Sequence, residues 1–225
     1  QAMSSERTAP GETSAPFVAR AVFASFARVS DQFPLFGGEP ERPPLPEGFR
    51  YQRELISRDV ERSVVAQLRE LPLREFEFHG YTGKRRVVSF GWRYDFSDRV
   101  LHRTEDIPPF LLCLREVAAS FAGLAPNALQ HVLVTEYSEG AAIGWHRDKD
   151  VFGDIVGISL LSRCTFRLRR KQGAKWKRAS IIAEPRSAYL LRGPSRTEWE
   201  HSIPGVEALR YSITFRNLRE GIGGR

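Results

Sequence analysis

The sequence predicts an α+β protein, mainly β, and three observations carry that reading. From residue 129 to residue 217 apolar residues recur in short segments, at 129–137, 155–161, 164–169, 176–182, 187–191 and 209–217, with Gly or Pro between them. Many short strands parted by turn residues suit a sandwich, a barrel or a jelly roll. Helical periodicity within the folded part is confined to two segments ahead of that region. A length of 225 residues is enough for one good core, and β domains of this size commonly stay undivided.

Taken in order, the chain opens with Gln1-Ala2 ahead of its only methionine, Met3, and these two read as a remnant of expression. Residues 4–16 are rich in Ser, Thr, Ala, Gly and Pro and are expected to be disordered. Residues 17–29 are apolar and Ala-rich but interrupted by Arg20 and Arg28, the pattern of a short amphipathic helix or docking arm. Gly37, Gly38, Pro40, Pro43, Pro44 and Pro46 then mark an extended connector. Residues 1–48 are thus read as an extension and connector, 49–219 as the folded domain and 220–225 as a tail. Ser57 caps a helix with Val60, Val64, Val65 and Leu68 on one face, and Pro72 stops it. Residues 84–94 combine a basic start, Lys84-Arg85-Arg86, with β-branched and aromatic residues and read as one strand. A second helix runs over residues 109–121, with Pro109 at its start and Gly123 just past its end.

The composition, 41% apolar and 27% charged, is that of a soluble globular chain, and no apolar run reaches bilayer length, which excludes a helical membrane span. A formal charge of +7 points towards a polyanionic partner, because clustered Lys and Arg gain affinity for phosphates by counterion release. Cys113 and Cys164 form neither a C-x-x-C pair nor a disulfide framework. Both are expected to be reduced and buried, in a cytoplasmic and monomeric protein.

The chemistry concentrates in Ile143-Gly144-Trp145-His146-Arg147-Asp148-Lys149-Asp150. On an extended backbone His146 and Asp148 emerge on one face, and a histidine from a distant strand would complete a metal site, for which His201 is the best candidate. Two imidazoles and one carboxylate occupy one face of an octahedral ion and leave the other positions for substrate and oxygen, the ligand logic of non-haem Fe(II) oxygenases. A bare H-x-D is also a common solvated loop pair, so context decides. In Arg210-Tyr211-Ser212-Ile213-Thr214-Phe215-Arg216, alternation puts Tyr211, Ile213 and Phe215 on one face and Arg210, Ser212, Thr214 and Arg216 on the other. That second face would suit solvent equally well. Beside a metal it suits a dicarboxylate, which guanidinium forks bind bidentately.

On His146-Arg147-Asp148-Lys149-Asp150, on Glu200-His201-Ser202-Ile203-Pro204 and on the closing R-x-x-x-x-x-R strand from Arg210 to Arg216, the sequence resembles the AlkB family of 2-oxoglutarate- and Fe(II)-dependent dioxygenases. The likeness extends more loosely from residue 49 to residue 219. It implies a double-stranded β-helix (jelly roll) core with N-terminal helices packed on one sheet. It implies a catalytic centre of Fe(II) on His146, Asp148 and His201, with Arg210 on the distal carboxylate of 2-oxoglutarate and Arg216 nearer its chelating end. Tyr137 matches a tyrosine that contacts the cosubstrate, and Asp150 an acidic residue beside the target base. Thr135 and Ser212 stand where asparagines are common, so cosubstrate affinity is expected to differ while the metal triad is not. The implied reaction uses O2 and 2-oxoglutarate to hydroxylate a methyl group on a base nitrogen, of the N1-methyladenine/N3-methylcytosine type, leaving succinate, CO2, formaldehyde and the repaired base.

Between Arg163 and Arg178 lie Arg167, Arg169, Arg170, Lys171, Lys175 and Lys177 with no acid among them. Phe166 and Leu168 alternate with Arg167 and Arg169, so this reads as a hairpin with one face in the core and one basic face outside. With Lys84-Arg85-Arg86 it nominates nucleic acid, DNA or RNA, as the partner, single-stranded or with the target base flipped out. Trp92, Tyr94 and Trp199 are candidate stacking residues, and Arg85, Arg86 and Arg147 candidate substrate contacts; an ordinary core or surface role is the alternative for each. His131 reads as structural, His79 and His102 as surface residues. Three other functions use the same residues less fully. They are a dioxygenase of this fold acting on protein or small molecules, a nucleic-acid-binding module with an inert metal site, and a zinc hydrolase, which leaves Arg210 and Arg216 without a task.

Overall fold

The computed structural model describes residues 44–78, 81–95 and 100–219. The segment expected to be disordered, the docking arm, most of the connector, His79 and the tail 220–225 lie outside them. Strand β1 (Phe49–Gln52) leads into helix α1 (Arg58–Leu68), where the Ser57 side chain accepts a hydrogen bond from the Val60 amide and Val64, Val65 and Leu68 turn inward. Strands β2 (Arg74–Phe78) and β3 (Tyr81–Phe90) follow. The single strand expected over 84–94 breaks at Gly91, which has φ +76°. A Cβ there would lie 2.1 Å from the Gln130 carbonyl oxygen, so only glycine fits. Beyond the break, β4 (Trp92–Tyr94) and β5 (Leu101–Arg103) form a separate ribbon. Helix α2 (Pro109–Ala122) starts on its proline and ends at left-handed Gly123. Among the described residues no helix is long and apolar enough to cross a membrane.

The remaining chain is almost all strand: β6 (Leu129–Tyr137), β7 (Ile143–His146), β8 (Phe152–Leu160), β9 (Cys164–Gln172), β10 (Lys175–Ala183), β11 (Ala188–Leu191), β12 (Glu200–Ile203) and β13 (Arg210–Leu218). They make a seven-stranded sheet in the order β1-β11-β8-β13-β6-β3-β2 and a four-stranded sheet in the order β10-β9-β12-β7. Helices α1 and α2 cover one face of the larger sheet, burying Leu68, Leu111 and Leu114 among Val132, Ile158, Ile213 and Phe215. Each such fully buried side chain contributes roughly 1.5–3 kcal/mol. The other face meets the smaller sheet through Phe49, Ile155, Phe166, Leu168, Tyr189 and Ile203. The result is a jelly roll with helices on one sheet, as expected. Cys164 is buried, but Cys113, expected inside, is exposed on α2.

Strand β13 lies between β8 and β6 in the larger sheet, so both of its faces are covered. Tyr211, Ile213 and Phe215 join the helix-side core, while Arg210, Ser212, Thr214 and Arg216 point between the sheets and are buried as well. The solvated reading of that face fails because a second sheet lies over it. On this inner face the register sets Arg210 beside Tyr137, Ser212 beside Thr135 and Arg216 beside His131. Tyr137 is flanked on its other side by Arg85.

Candidate active site

Strands β7 and β12 bring the two predicted histidines together. His201 pairs with His146 directly across the ladder, and their rings lie 4.2 Å apart. Ligand atoms of His146, Asp148 and His201 all fall within 4.8 Å of one another. His146 Nδ1 faces the Gly144 carbonyl oxygen at 2.8 Å, and a proton on Nδ1 leaves the Nε2 lone pair for a metal. Burial, and then the adjacent His146, push the His201 pKa down to about 3; burial lowers that of His146 too. Both imidazoles are therefore neutral at pH 7, the form that binds metal. The 3.5 Å approach of His201 Nε2 to Asp148 Oδ2 is accordingly not an ion pair but two lone-pair atoms aimed into one space.

Asp148 keeps its charge. Burial, the largest single influence, would raise its pKa, but Arg216, the two neighbouring histidines and Arg196 together outweigh it and hold the carboxyl well below the usual carboxylate range. Arg216 donates to Asp148 Oδ1 from Nε and Nη2 at 3.0 and 2.7 Å. Its Nη1 faces His131 Nδ1 at 3.2 Å; burial and the Arg216 charge keep His131 neutral, so that nitrogen can accept. The turn after Asp148 is pinned by buried Arg196, which donates to the carbonyl oxygens of Lys149, Phe152 and Gly153. Phe166 stacks on the His201 ring at 5.3 Å. Arg196 and Phe166 carry no motif, and only their tertiary neighbours reveal what they support.

Arg210 presents a different pattern. It is 0% exposed, its Nε donates to Ser159 Oγ at 3.1 Å, and its Cζ lies 5.0 Å from the Tyr137 ring centre. Nη1 and Nη2 are buried without a hydrogen-bond partner among the described residues. An unpaired buried cation costs several kcal/mol, and two free Nη groups form the fork that a carboxylate takes bidentately. Thr135 and Ser212, both buried, lie between Arg210 and Arg216 on adjacent strands. A His-Asp-His donor set with an unpaired guanidinium in the same jelly roll fits an octahedral Fe(II) and a keto diacid.

A family model of the 2OG-Fe(II) oxygenase superfamily matches residues 58–216. The chain belongs to that superfamily. This oxygenase is 30% identical to the "Alkylated DNA repair protein ALKBH8 homolog" of Arabidopsis thaliana, over 54% of the chain and 42% of the relative. It is 32% identical to the mitochondrial "Alpha-ketoglutarate-dependent dioxygenase alkB homolog 7" of Bos taurus, over 49% of the chain and 55% of the relative. The chain spans about half the length of these curated relatives. The solved structure of OsALKBH1 matches at TM-score 0.57 and 17% identity, over 78% of this chain and 99% of that one, a likeness of fold. These matches make the oxygenase an AlkB-like dioxygenase domain, and Fe(II), 2-oxoglutarate and O2 are what its family uses.

The other residues singled out in the sequence divide. Arg85 lies half-buried on the inner face beside Tyr137, its guanidinium 4.0 Å from the Phe76 ring centre; burial lowers its pKa. Arg86 does not share that face, which corrects the expected substrate contact. Period-two alternation sends it to the helix side, where it bonds Glu136 at 2.8 Å beside the Tyr211 hydroxyl. Trp199 is 2% exposed and packs in the core, so it is not a stacking residue. Tyr94 lies in the β4–β5 ribbon with Lys149 Nζ 5.3 Å from its ring centre, next to the turn that follows Asp148. Trp92 in the same ribbon faces Arg103. Arg147 and Asp150 are exposed, and Arg147 donates to the Thr197 carbonyl oxygen at 2.9 Å. His102 is exposed, as expected of a surface residue.

Proposed function

We propose that this oxygenase is an oxidative demethylase of N-alkylated bases in nucleic acid, of the N1-methyladenine/N3-methylcytosine type. The observation that carries the reading is Arg210, a fully buried guanidinium with two unpaired nitrogens, enclosed by the same jelly roll as a His-Asp-His cluster. In this reading His146, Asp148 and His201 hold Fe(II), Arg210 grips the distal carboxylate of 2-oxoglutarate against Tyr137, and Thr135 and Ser212 line the way to Arg216. With O2, the bound metal and cosubstrate supply the oxidation that hydroxylates the methyl group, giving succinate, CO2 and finally formaldehyde. The chain's own residues orient and protect. Arg216 and Arg196 help keep Asp148 ionised, burial keeps the imidazoles neutral, and the two packed sheets exclude water from Arg210. Asp150, Arg147, Tyr94, Trp92 and Arg85 are the substrate-side residues of this reading. A surplus of seven positive charges and the printed name of the Arabidopsis relative support a nucleic-acid substrate.

The test is formaldehyde release from N1-methyladenine and N3-methylcytosine in single-stranded DNA, duplex DNA and tRNA under identical Fe(II) and 2-oxoglutarate. Formaldehyde forming in step with succinate on at least one of these is the expected result. Succinate without formaldehyde on all of them would refute the substrate class and refer the enzyme to protein or small molecules.

A further inference from the structure

The charge of this chain is not spread over it. The β9–β10 hairpin, residues 164–183, holds seven Lys and Arg and no acid; outside its 20 residues, the 27 remaining Lys and Arg balance 27 Asp and Glu. The whole formal charge of +7 therefore resides on one hairpin. Alternation sends Phe166 and Leu168 into the core and turns Arg167, Arg169 and Lys171 of β9, with Trp176 and Arg178 of β10, to the opposite face of the smaller sheet. Trp145 joins them from β7. Glu200 holds Arg169 at 2.6 Å, and the Arg169 guanidinium lies 4.4 Å from the Trp145 ring centre and 4.3 Å from that of Trp176. Arg167 covers Trp145 at 5.0 Å. Trp176 is 36% exposed, so core packing does not account for its place in this row.

We propose that this outer face is a stacking platform for single-stranded nucleic acid, separate from the metal site on the inner face of the same sheet. The proposal rests on the nucleic-acid reading above for the chemistry of its partner. Indole and guanidinium planes offer flat faces to unpaired bases, while Lys171 and Arg178 on the same face neutralise the backbone. An acidic protein would use the charges but not the row of planes, and a duplex hides its base faces. The row crosses the sheet from β10 to β7, a span of about 14 Å at ordinary strand spacing. Its end at Trp145 is the residue before His146, so the platform would hold the strand that flanks the nucleotide being processed.

The experiment uses the full chain with labelled oligo-dT in fluorescence anisotropy at several salt concentrations. Trp176→Ala is expected to weaken binding about tenfold with little change in salt dependence, and Trp176→Phe to restore most of it. The double change Lys171→Ala/Arg178→Ala is expected to lower the log–log salt slope by about 1.4, at about 0.7 for each phosphate no longer neutralised. Both are expected to keep wild-type turnover of a methylated mononucleotide and to raise KM, not lower kcat, on a long oligonucleotide. Unchanged dT binding in folded Trp176→Ala, or wild-type binding abolished by a polyglutamate competitor as readily as by unlabelled oligo-dT, overturns the platform. If the wild type binds dT through Trp176 yet demethylates no nucleic acid, the platform stands and the demethylase reading falls. If turnover is intact and every variant binds as wild type does, the platform alone falls.

Discussion

Replacing Arg210 with Met separates a structural arginine from one built to receive a ligand. Without cosubstrate the guanidinium has one hydrogen bond, to Ser159, and two unpaired buried nitrogens. Each unsatisfied buried donor costs roughly 1–3 kcal/mol, against about 1 kcal/mol for the hydrogen bond to Ser159 that the change removes. Met retains the packing of the stem, so Arg210→Met is expected to stabilise the cosubstrate-free protein by about 1–5 kcal/mol, which raises Tm by roughly 2–20 °C at this chain length. With 2-oxoglutarate the sign reverses. Two charge-assisted bonds at about 1.5–3 kcal/mol each are absent, so affinity falls at least about 100-fold. Thermal melts with and without 2-oxoglutarate, in the presence of Mn(II), and anaerobic calorimetry read both quantities. A variant that melts several degrees lower and still binds 2-oxoglutarate like the wild type would refute the reasoning.

Alanine at Asp148 or His201 is expected to abolish stoichiometric metal binding and formaldehyde release while leaving the far-ultraviolet dichroism intact; equilibrium dialysis and product assays check this. His131→Ala removes the acceptor that orients Arg216, so metal affinity is expected to fall about 10-fold, as for other residues that orient a ligand, with partial rescue by His131→Asn. A Cβ at Gly157 would meet the Tyr189 ring at 2.2 Å, and Tyr189 packs on Phe166, which stacks on His201. Gly157→Ala is therefore expected to cost about 1–3 kcal/mol in a denaturant titration and to weaken metal binding with it. The metal-free protein is expected to lose stability on acidification. His201 falls from 6.5 to about 3 on folding, and His146 and His131 shift the same way. A group with a lowered folded pKa binds fewer protons folded than unfolded between the two values, so stability drops as pH falls from about 6.5, by up to about 1.4 kcal/mol per pH unit for each histidine. Asp148, also lowered, adds to the loss only below its unfolded value of 3.8. Melts that stay flat or rise from about pH 7.5 to about pH 4.5 would contradict this assignment.

Much of the site was legible because its signals are local. His146-x-Asp148 needs only an extended backbone to share a face, and the alternation of residues 210–216 needs only strand geometry. The caps at Ser57 and Gly123 likewise act within a few residues of themselves. What stayed hidden depends on partners distant in the chain. Whether the Arg210 face met water or a second sheet was set by β9 and β12, which pair and pack across more than thirty residues. Gly91 looked like part of a strand because the Gln130 carbonyl that forbids a side chain there lies in another element. Arg85 and Arg86 are alike in sequence, and only the pairing of β3 with β6 sends one inward and the other to Glu136. For Trp199 the sequence leaves a stacking role and a core role open, which the core closing around it decides, and the part His131 plays shows only through Arg216.

The measurement closest to the centre of the account is an anaerobic titration of Fe(II) and then 2-oxoglutarate into the purified chain, followed by visible absorption. One equivalent of Fe(II) per chain and a charge-transfer band that saturates with one equivalent of 2-oxoglutarate are predicted, with the band absent in His201→Ala and requiring far more cosubstrate in Arg210→Met. A band that survives in His201→Ala, or none in the wild type with Fe(II) bound, would contradict the account.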